Sequence, residues 1–141
     1  MLWVLSDLNS LAQNGWFGYV NPEPLIPAER IQGLADGLAE TTINAFSGSD
    51  IADQESTRSV GEMLGAVGYY GPQAGDETQL SAAIEYANGL AAVVEENLTD
   101  NGAVENGAEN QAATQGIVAQ GLLWASQLDG VDHPETAREA L

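Results

Sequence analysis

The segment ETQLSAAIEYANGLAAVVEENL, residues 77–98, carries the clearest structural pattern in the chain. Its apolar residues recur every three or four positions, which is the spacing of one face of an α-helix: Leu80, Ile84, Ala87, Ala91, Val94 and Leu98. Asp76 and Gln79 stand at its start as in a capping box, where two side chains satisfy backbone N–H groups of the first turn. The segment is therefore predicted to be an amphipathic helix.

Similar patterns on both sides of this segment predict further helices. A helix over 2–13 is favoured by the spacing of its leucines, with a strand over Leu2–Leu5 as the alternative. Pro27 suits the first turn of a helix over 28–46. The other predicted helices are 51–68, 110–128 and 133–141. The chain is thus predicted to be one all-α domain, residues 1–141, folded as a compact bundle of five to six helices with an aromatic-rich N-terminal loop.

The core of this bundle is predicted from the same periodicity. We expect helices 77–98 and 110–128 to pack antiparallel across the connection 99–109. The side chains expected to be largely buried there are Leu80, Ile84, Ala87, Val94, Ile117, Trp124 and Leu128. In the helices before them, the predicted core faces hold Ile31, Leu34, Leu38 and Ala45, and then Val60, Met63, Leu64 and Val67.

Two groups of glycines lie inside predicted helices. GEMLGAVG, residues 61–68, has no G-K-[ST] and follows no strand, so we interpret its glycines as sites of close packing and not as a phosphate-binding loop. Gly33 and Gly37 have the small-xxx-small spacing that lets helices approach each other, which is a weak signal outside a membrane.

The charge balance is extreme. The chain has 21 acidic residues against Arg30, Arg58 and Arg138, no lysine, and a formal net charge of −18. Such a chain repels itself in dilute buffer, whereas molar salt shortens the screening length to ~3 Å. The composition resembles that of proteins from salt-in haloarchaea and their viruses; an acidic mesophilic protein, such as a nucleic-acid mimic, is the alternative. The three scattered arginines argue against direct nucleic-acid binding.

Residues suited to catalysis are scarce. The chain has no cysteine, no G-x-S-x-G and a single histidine, His133, beside a proline. One acidic group is a candidate for calcium, although it does not fit the EF-hand pattern: Asp100, Asn101, Glu105, Asn106 and Glu109. A second candidate group for a cation is Asp129, Asp132 and Glu135. We interpret the stretch 96–116, which contains the first group, as a flexible, hydrated loop between helices 77–98 and 110–128 that holds hydrated cations non-specifically. We expect no catalytic, cofactor or metal residues.

The segment NGWFGYVNPEP, residues 14–24, contains the densest aromatic group: Trp16, Phe17 and Tyr19. Asn14-Gly15 indicates a turn, and Pro22 and Pro24 disfavour a regular ladder, so a loop is predicted. One hypothesis has this loop plugging an end of the bundle. The other makes the three aromatic residues an interface, because Trp and Tyr are favoured in interaction hot spots.

Size, helical character and composition together resemble small helical virion components of haloarchaeal tailed viruses, such as head–tail connectors. The resemblance implies a non-enzymatic structural or assembly protein that contacts copies of itself or other structural proteins. The alternative is an acidic soluble binding or regulatory module that occupies a basic protein surface. The N-terminus lacks the basic region of a signal peptide, and no apolar run is long enough to span a membrane, so we expect a virion or cytoplasmic location in high salt.

Overall fold

The computed structural model describes residues 1–20, 26–46, 57–99, 103–104 and 111–131. Within them lie six α-helices, which are α1 (Leu2–Gln13), α2 (Trp16–Val20), α3 (Ala28–Ala45), α4 (Thr57–Tyr70), α5 (Glu77–Glu96) and α6 (Gln111–Ala125), and a 3-10 helix at Gly71–Gln73. This part of the chain contains no strand, only an isolated bridge between Leu98 and Val104. The all-α fold is confirmed, and residues 2–13 form a helix and not a strand.

Helix α4 is the central element of the bundle, because it packs against α6, α5 and α1. Its buried residues follow helical spacing over one broad face, while Arg58 and Glu62 on the opposite side are exposed. The buried residues are Thr57, Val60, Gly61, Leu64, Gly65, Val67, Gly68 and Tyr70. Val60, Leu64 and Val67 belong to the predicted core face, and Met63 is half-buried. The predicted helix 51–68 thus ends two residues later than expected, and residues 51–56 lie outside the described part.

Glycines determine how closely α4 and α6 pack. Gly61, Gly65 and Gly68 lie on one face of α4, and a Cβ on Gly61 would stand 2.9 Å from the Cα of Val118. A Cβ on Gly68 would stand 2.6 Å from the backbone nitrogen of Ala125. These distances are too short for real Cβ contacts, so the two backbones approach each other only because side chains are missing there. The interpretation of residues 61–68 as a close-packing segment is confirmed.

Helix α5 begins at the predicted cap. Oδ1 of Asp76 accepts hydrogen bonds from the N–H groups of Thr78 and Gln79, both at 2.9 Å, and Oε1 of Gln79 accepts one from the N–H of Gly75 at 3.1 Å. The buried face is rotated relative to the predicted one: Ala83, Tyr86, Ala87, Leu90, Ala91 and Val94 are buried, whereas Leu80 and Ile84 are half-buried.

The predicted antiparallel pairing of residues 77–98 with 110–128 is wrong. Helix α6 packs mainly on α4, and its contact with α5 is small. Its buried side chains include Val118, Leu122 and Ala125, with Leu128 beyond its end, while Ile117 and Trp124 are half-buried. Periodicity identified the helix, but the small residues on α4 decide its partner and therefore its inward face.

The described residues between α5 and α6 include one that is held against the bundle, Val104, and two that bond to each other, Thr99 and Ala103. The N–H of Thr99 donates to the carbonyl oxygen of Ala103 at 2.8 Å. Val104 is fully buried, and its N–H donates to Oε1 of Gln115 at 2.9 Å. A wholly flexible, hydrated connection was therefore the wrong prediction at this point. Residues 100–102 and 105–110 lie outside the described part.

Helix α3 matches the predicted helix 28–46, but its inward face differs. Ile31 is buried and Leu38 half-buried as expected, whereas Leu34 and Ala45 are exposed. Gly33 and Gly37 face open space, so the weak small-xxx-small signal does not mark a helix contact among the described residues. The predicted helix 133–141, with His133, lies outside them. None of the helices that the structure describes is both long and apolar enough to cross a bilayer.

Candidate functional site

A tight turn joins α1 to α2. Asn14 ends α1, and its side-chain Nδ2 donates to the carbonyl oxygen of Ser10 at 2.8 Å. Gly15 follows with φ +74°, a left-handed conformation that favours glycine after a helix. The predicted Asn-Gly turn is confirmed. The predicted loop beyond it is wrong for Trp16–Val20, which form the short helix α2; residues 21–25 lie outside the described part.

Helix α1 has an unusual distribution of polar and apolar residues. Its buried positions include two polar side chains, Ser6 and Asn9, whereas Val4, Leu8 and Leu11 are exposed. These three residues have the spacing of one helix face. The inward polar face is satisfied internally, since Oγ of Ser6 donates to the carbonyl oxygen of Leu2 at 3.0 Å. An apolar stripe therefore remains on the outside of α1.

The three predicted interface residues all lie on helix α2 but differ in exposure. Tyr19 is 89% exposed and Trp16 is 57% exposed, whereas Phe17 is half-buried. Among the described elements, α2 packs mainly on α1, so little of the bundle covers it. Trp16 and Tyr19 do not fill the inside of the described bundle as an internal plug would. We call the exposed side chains of Val4, Leu8, Leu11, Trp16 and Tyr19 the α1–α2 surface.

A second aromatic group lies on the other side of α1. The rings of Trp3 and Tyr69 stack with centroids 5.6 Å apart, and Trp124 meets Tyr69 edge-on at 4.8 Å. The hydroxyl of Tyr69 donates to Oδ1 of Asp7 at 2.8 Å, and this hydrogen bond raises the pKa of Tyr69. No local sequence pattern indicates this group, because its members lie on three helices, α1, α4 and α6.

A buried polar network links α3 to the end of α4. Oδ1 of Asp36 accepts hydrogen bonds from the hydroxyl of Tyr70 at 2.6 Å, from Nε2 of Gln32 at 2.9 Å and from the N–H of Gly75 at 3.2 Å. Oε1 of Gln32 accepts in turn from Nδ2 of Asn9 at 2.8 Å. Burial and the bond to Asp36 raise the pKa of Tyr70. The network joins α1, α3 and α4, and sequence analysis did not find it.

A cleft of about 440 Å³ lies beside this network, and its walls include Glu40, Asn44, Asp76 and Gln79. Asp76 is already engaged as the cap of α5, and Gln79 binds the N–H of Gly75. Oδ1 of Asp36 is likewise engaged, by the hydrogen bonds from Tyr70, Gln32 and Gly75. We therefore interpret Asp36 and its neighbours as a structural network.

The candidate cation groups fall mostly outside the described residues. Asp100, Asn101, Glu105, Asn106, Glu109, Asp132 and Glu135 are not described, and Asp129 is exposed at the end of the turn after α6. Among the residues that the structure describes, no three acidic or histidine side chains lie close enough to hold a metal ion.

Comparison of the chain with protein-family models, with curated proteins and with solved structures found no match. The choice of a candidate site therefore depends on the geometry of this molecule. Contacts within the described chain explain the α1–α2 surface least of all its features. Large apolar side chains face outward there, while Ser6 and Asn9 face inward.

Proposed function

We propose that this protein is a non-enzymatic assembly protein that acts through contacts between its own copies, made by the α1–α2 surface. The observation that carries the proposal is the exposure of Trp16 and Tyr19 together with the outward stripe of Val4, Leu8 and Leu11. Contiguous exposed apolar residues on a monomer mark interaction sites more often than isolated ones do. Trp and Tyr also combine a large apolar area with a polar tip.

The charge distribution favours a second copy as the partner. Asp7 is the one acidic residue among residues 1–20, whereas the whole chain has 21. Its carboxylate accepts a hydrogen bond from Tyr69. Two copies that each carry −18 repel each other least where carboxylates are fewest, and apolar burial stays favourable when salt screens the remaining charge.

The setting that we propose follows the composition. A chain without lysine and with surplus acid suits a cytoplasm or virion in molar salt. Within that setting, a small helical component of a haloarchaeal tailed virus, such as a head–tail connector, is the role that we propose.

The proposal is tested by removing the exposed aromatic area. The double variant Trp16→Ala/Tyr19→Ala is compared with the unmodified chain by light scattering and analytical ultracentrifugation in molar KCl. We expect an unchanged helical circular dichroism spectrum and a shift of the assembled species to the monomer. Leu123→Ala is the matched control, because Leu123 is also a large, exposed apolar residue but lies on α6.

A double variant that keeps the assembled mass but melts at a lower temperature would support the internal-plug hypothesis and contradict this proposal. The alternative function, an acidic module that occupies a basic protein surface, predicts a monomer before and after the substitutions.

A further inference from the structure

The described residues form an apolar groove of about 450 Å³ at the beginning of α1. Three helices build it: the beginning of α1, the last turns of α3 and the stretch of α4 from Ser59 to Ala66. Its apolar lining consists of Met1, Leu2, Leu38, Phe46, Met63 and Ala66. Phe46 is exposed at its edge. A groove of this size and lining accepts aromatic side chains.

The exposed pair Trp16 and Tyr19 lies at the other end of α1. Helix α1 has 12 residues and therefore spans ~18 Å at 1.5 Å per residue. The groove begins at Met1, whereas Trp16 and Tyr19 follow the turn at Gly15. Because the rigid helix separates the two features, the aromatic residues of one copy cannot enter the groove of the same copy.

Both features are close to neutral in a strongly acidic chain. The exposed pair Trp16 and Tyr19 has no acidic neighbour nearer in sequence than Asp7 and Glu23. Among the described residues that line the groove, Glu62 is the one with a carboxylate, and it forms an ion pair with Arg58 at 3.0 Å. As far as the described residues go, two −18 copies can therefore meet here without bringing unpaired carboxylates of these two features together.

We propose that Trp16 and Tyr19 of one copy dock in the groove of a second copy. This inference rests on the proposed function and specifies its geometry. The contact is heterologous, because it joins two different surfaces, so each copy retains a free groove or a free aromatic pair after one contact forms. Such contacts continue until they close a ring, or they extend as a filament.

The small size of the contact limits its strength. Two aromatic side chains bury ~150–250 Å² each, and the groove buries a similar area, so the total is ~600–1,000 Å². Stable interfaces bury ~1,200 Å² or more. A single contact is therefore weak, and assembly depends steeply on protein concentration unless ring closure adds a second contact for each copy.

The test uses two variants that each disable one side of the contact. Trp16→Ala/Tyr19→Ala removes the aromatic pair and keeps the groove, whereas Thr42→Trp fills the groove from its wall on α3 and keeps the aromatic pair. Thr41→Trp is the matched control, because Thr41 is an exposed neighbour that does not line the groove. Circular dichroism melting checks that every variant folds.

In molar KCl, at concentrations where the unmodified chain assembles, we expect each disabled variant alone to be monomeric by analytical ultracentrifugation. An equimolar mixture of the two is expected to form a species of two chains and nothing larger, because it contains one intact contact. Thr41→Trp is expected to assemble like the unmodified chain.

Other outcomes overturn the inference. If Thr42→Trp assembles like the unmodified chain, the copies meet elsewhere, for example through a symmetric contact of the α1–α2 surface. That outcome contradicts the heterologous geometry but leaves the proposed function intact. Two monomeric variants that fail to pair in the mixture also contradict it. An unmodified chain that is monomeric at every concentration contradicts the proposed function itself.

Discussion

Gly61 and Gly121 face each other across the contact of α4 with α6, so closely that a Cβ on Gly121 would overlap the carbonyl oxygen of Gly61. The same Cβ would stand 3.3 Å from the backbone nitrogen of Gly65. Since both obstacles are backbone atoms of the central helix, a side chain here can be accommodated only if the two helices separate.

We therefore expect Gly121→Ala to lower the free energy of unfolding by ~1–3 kcal/mol, the usual cost of overpacking a core. Gly116→Ala is the control on the same helix, because a Cβ at Gly116 meets no atom within 4 Å. Alanine has the higher helix propensity, so this variant is expected to gain up to ~1 kcal/mol. Denaturant unfolding measures the change in stability of both variants. Equal changes in Gly121→Ala and Gly116→Ala would contradict the close contact of α4 with α6.

Adjacent leucines test the inward face of α6. Leu122 is 2% exposed, whereas Leu123 is 46% exposed. We expect Leu122→Ala to cost ~2–5 kcal/mol, because it leaves a cavity in the core, and Leu123→Ala to change stability by less than ~0.5 kcal/mol. The two changes delete the same atoms, so a similar loss in both would show that the helix faces a different way.

The sequence was sufficient to predict the longer helices that the structure describes, but it did not predict the short helix α2 or how the helices pair. Periodicity placed α3, α5 and α6 to within a few residues, and the cap of α5 followed from Asp76 and Gln79. The pairing of α6 with α4 depends on Gly61, Gly65, Gly68 and Gly121, and glycine contributes little to a pattern of apolar residues.

The candidate site was only partly predictable for a related reason. Trp16 and Tyr19 are evident as an aromatic group in the sequence, but the spacing of the leucines on α1 does not show which of them face outward. Leu8 and Leu11 look like core residues, yet they face outward, because Asn9 binds Gln32 and so turns the polar side of α1 inward. A long-range hydrogen bond between side chains on different helices leaves no local pattern.

Two buried tyrosines are expected to respond oppositely to loss of the hydroxyl. The Tyr86 hydroxyl has no hydrogen-bond partner among the described residues, whereas that of Tyr70 donates to Asp36. We expect Tyr86→Phe to be neutral or to gain ~1–3 kcal/mol, because an unsatisfied polar group leaves the interior. Tyr70→Phe is expected to lose ~1.5–3 kcal/mol, the contribution of a bond to a charged group. Denaturant unfolding near neutral pH measures both.

Alkaline pH should destabilise the fold. Burial raises the pKa of Tyr86 from 10.0 to about 12, so the folded state favours the neutral phenol. The contribution of the neutral Tyr86 to the free energy of unfolding is complete below the unfolded pKa of 10.0. It is lost as the pH rises through the folded pKa of about 12. Tyr86→Phe is therefore expected to lose less stability than the unmodified chain between these two values. An equal loss of stability in both chains would show that the pKa of Tyr86 is not raised in the folded state.

Salt should govern folding. At 0.1 M KCl the screening length is ~10 Å, against ~3 Å at 1 M, so repulsion within a chain of charge −18 grows as salt is removed. We expect the melting temperature to fall across that range in a circular dichroism titration. Glu40→Gln/Glu85→Gln, which neutralises two exposed acids, should fold at lower salt. A melting temperature independent of KCl would contradict the high-salt setting.

The central claim is that copies of this chain assemble through exposed apolar residues of α1 and α2. Sedimentation equilibrium of the unmodified protein in molar KCl, over a wide range of protein concentration, tests it most directly. We predict a mass that rises with concentration above the 14.7 kDa of one chain. A mass that stays at 14.7 kDa at every concentration would contradict the claim.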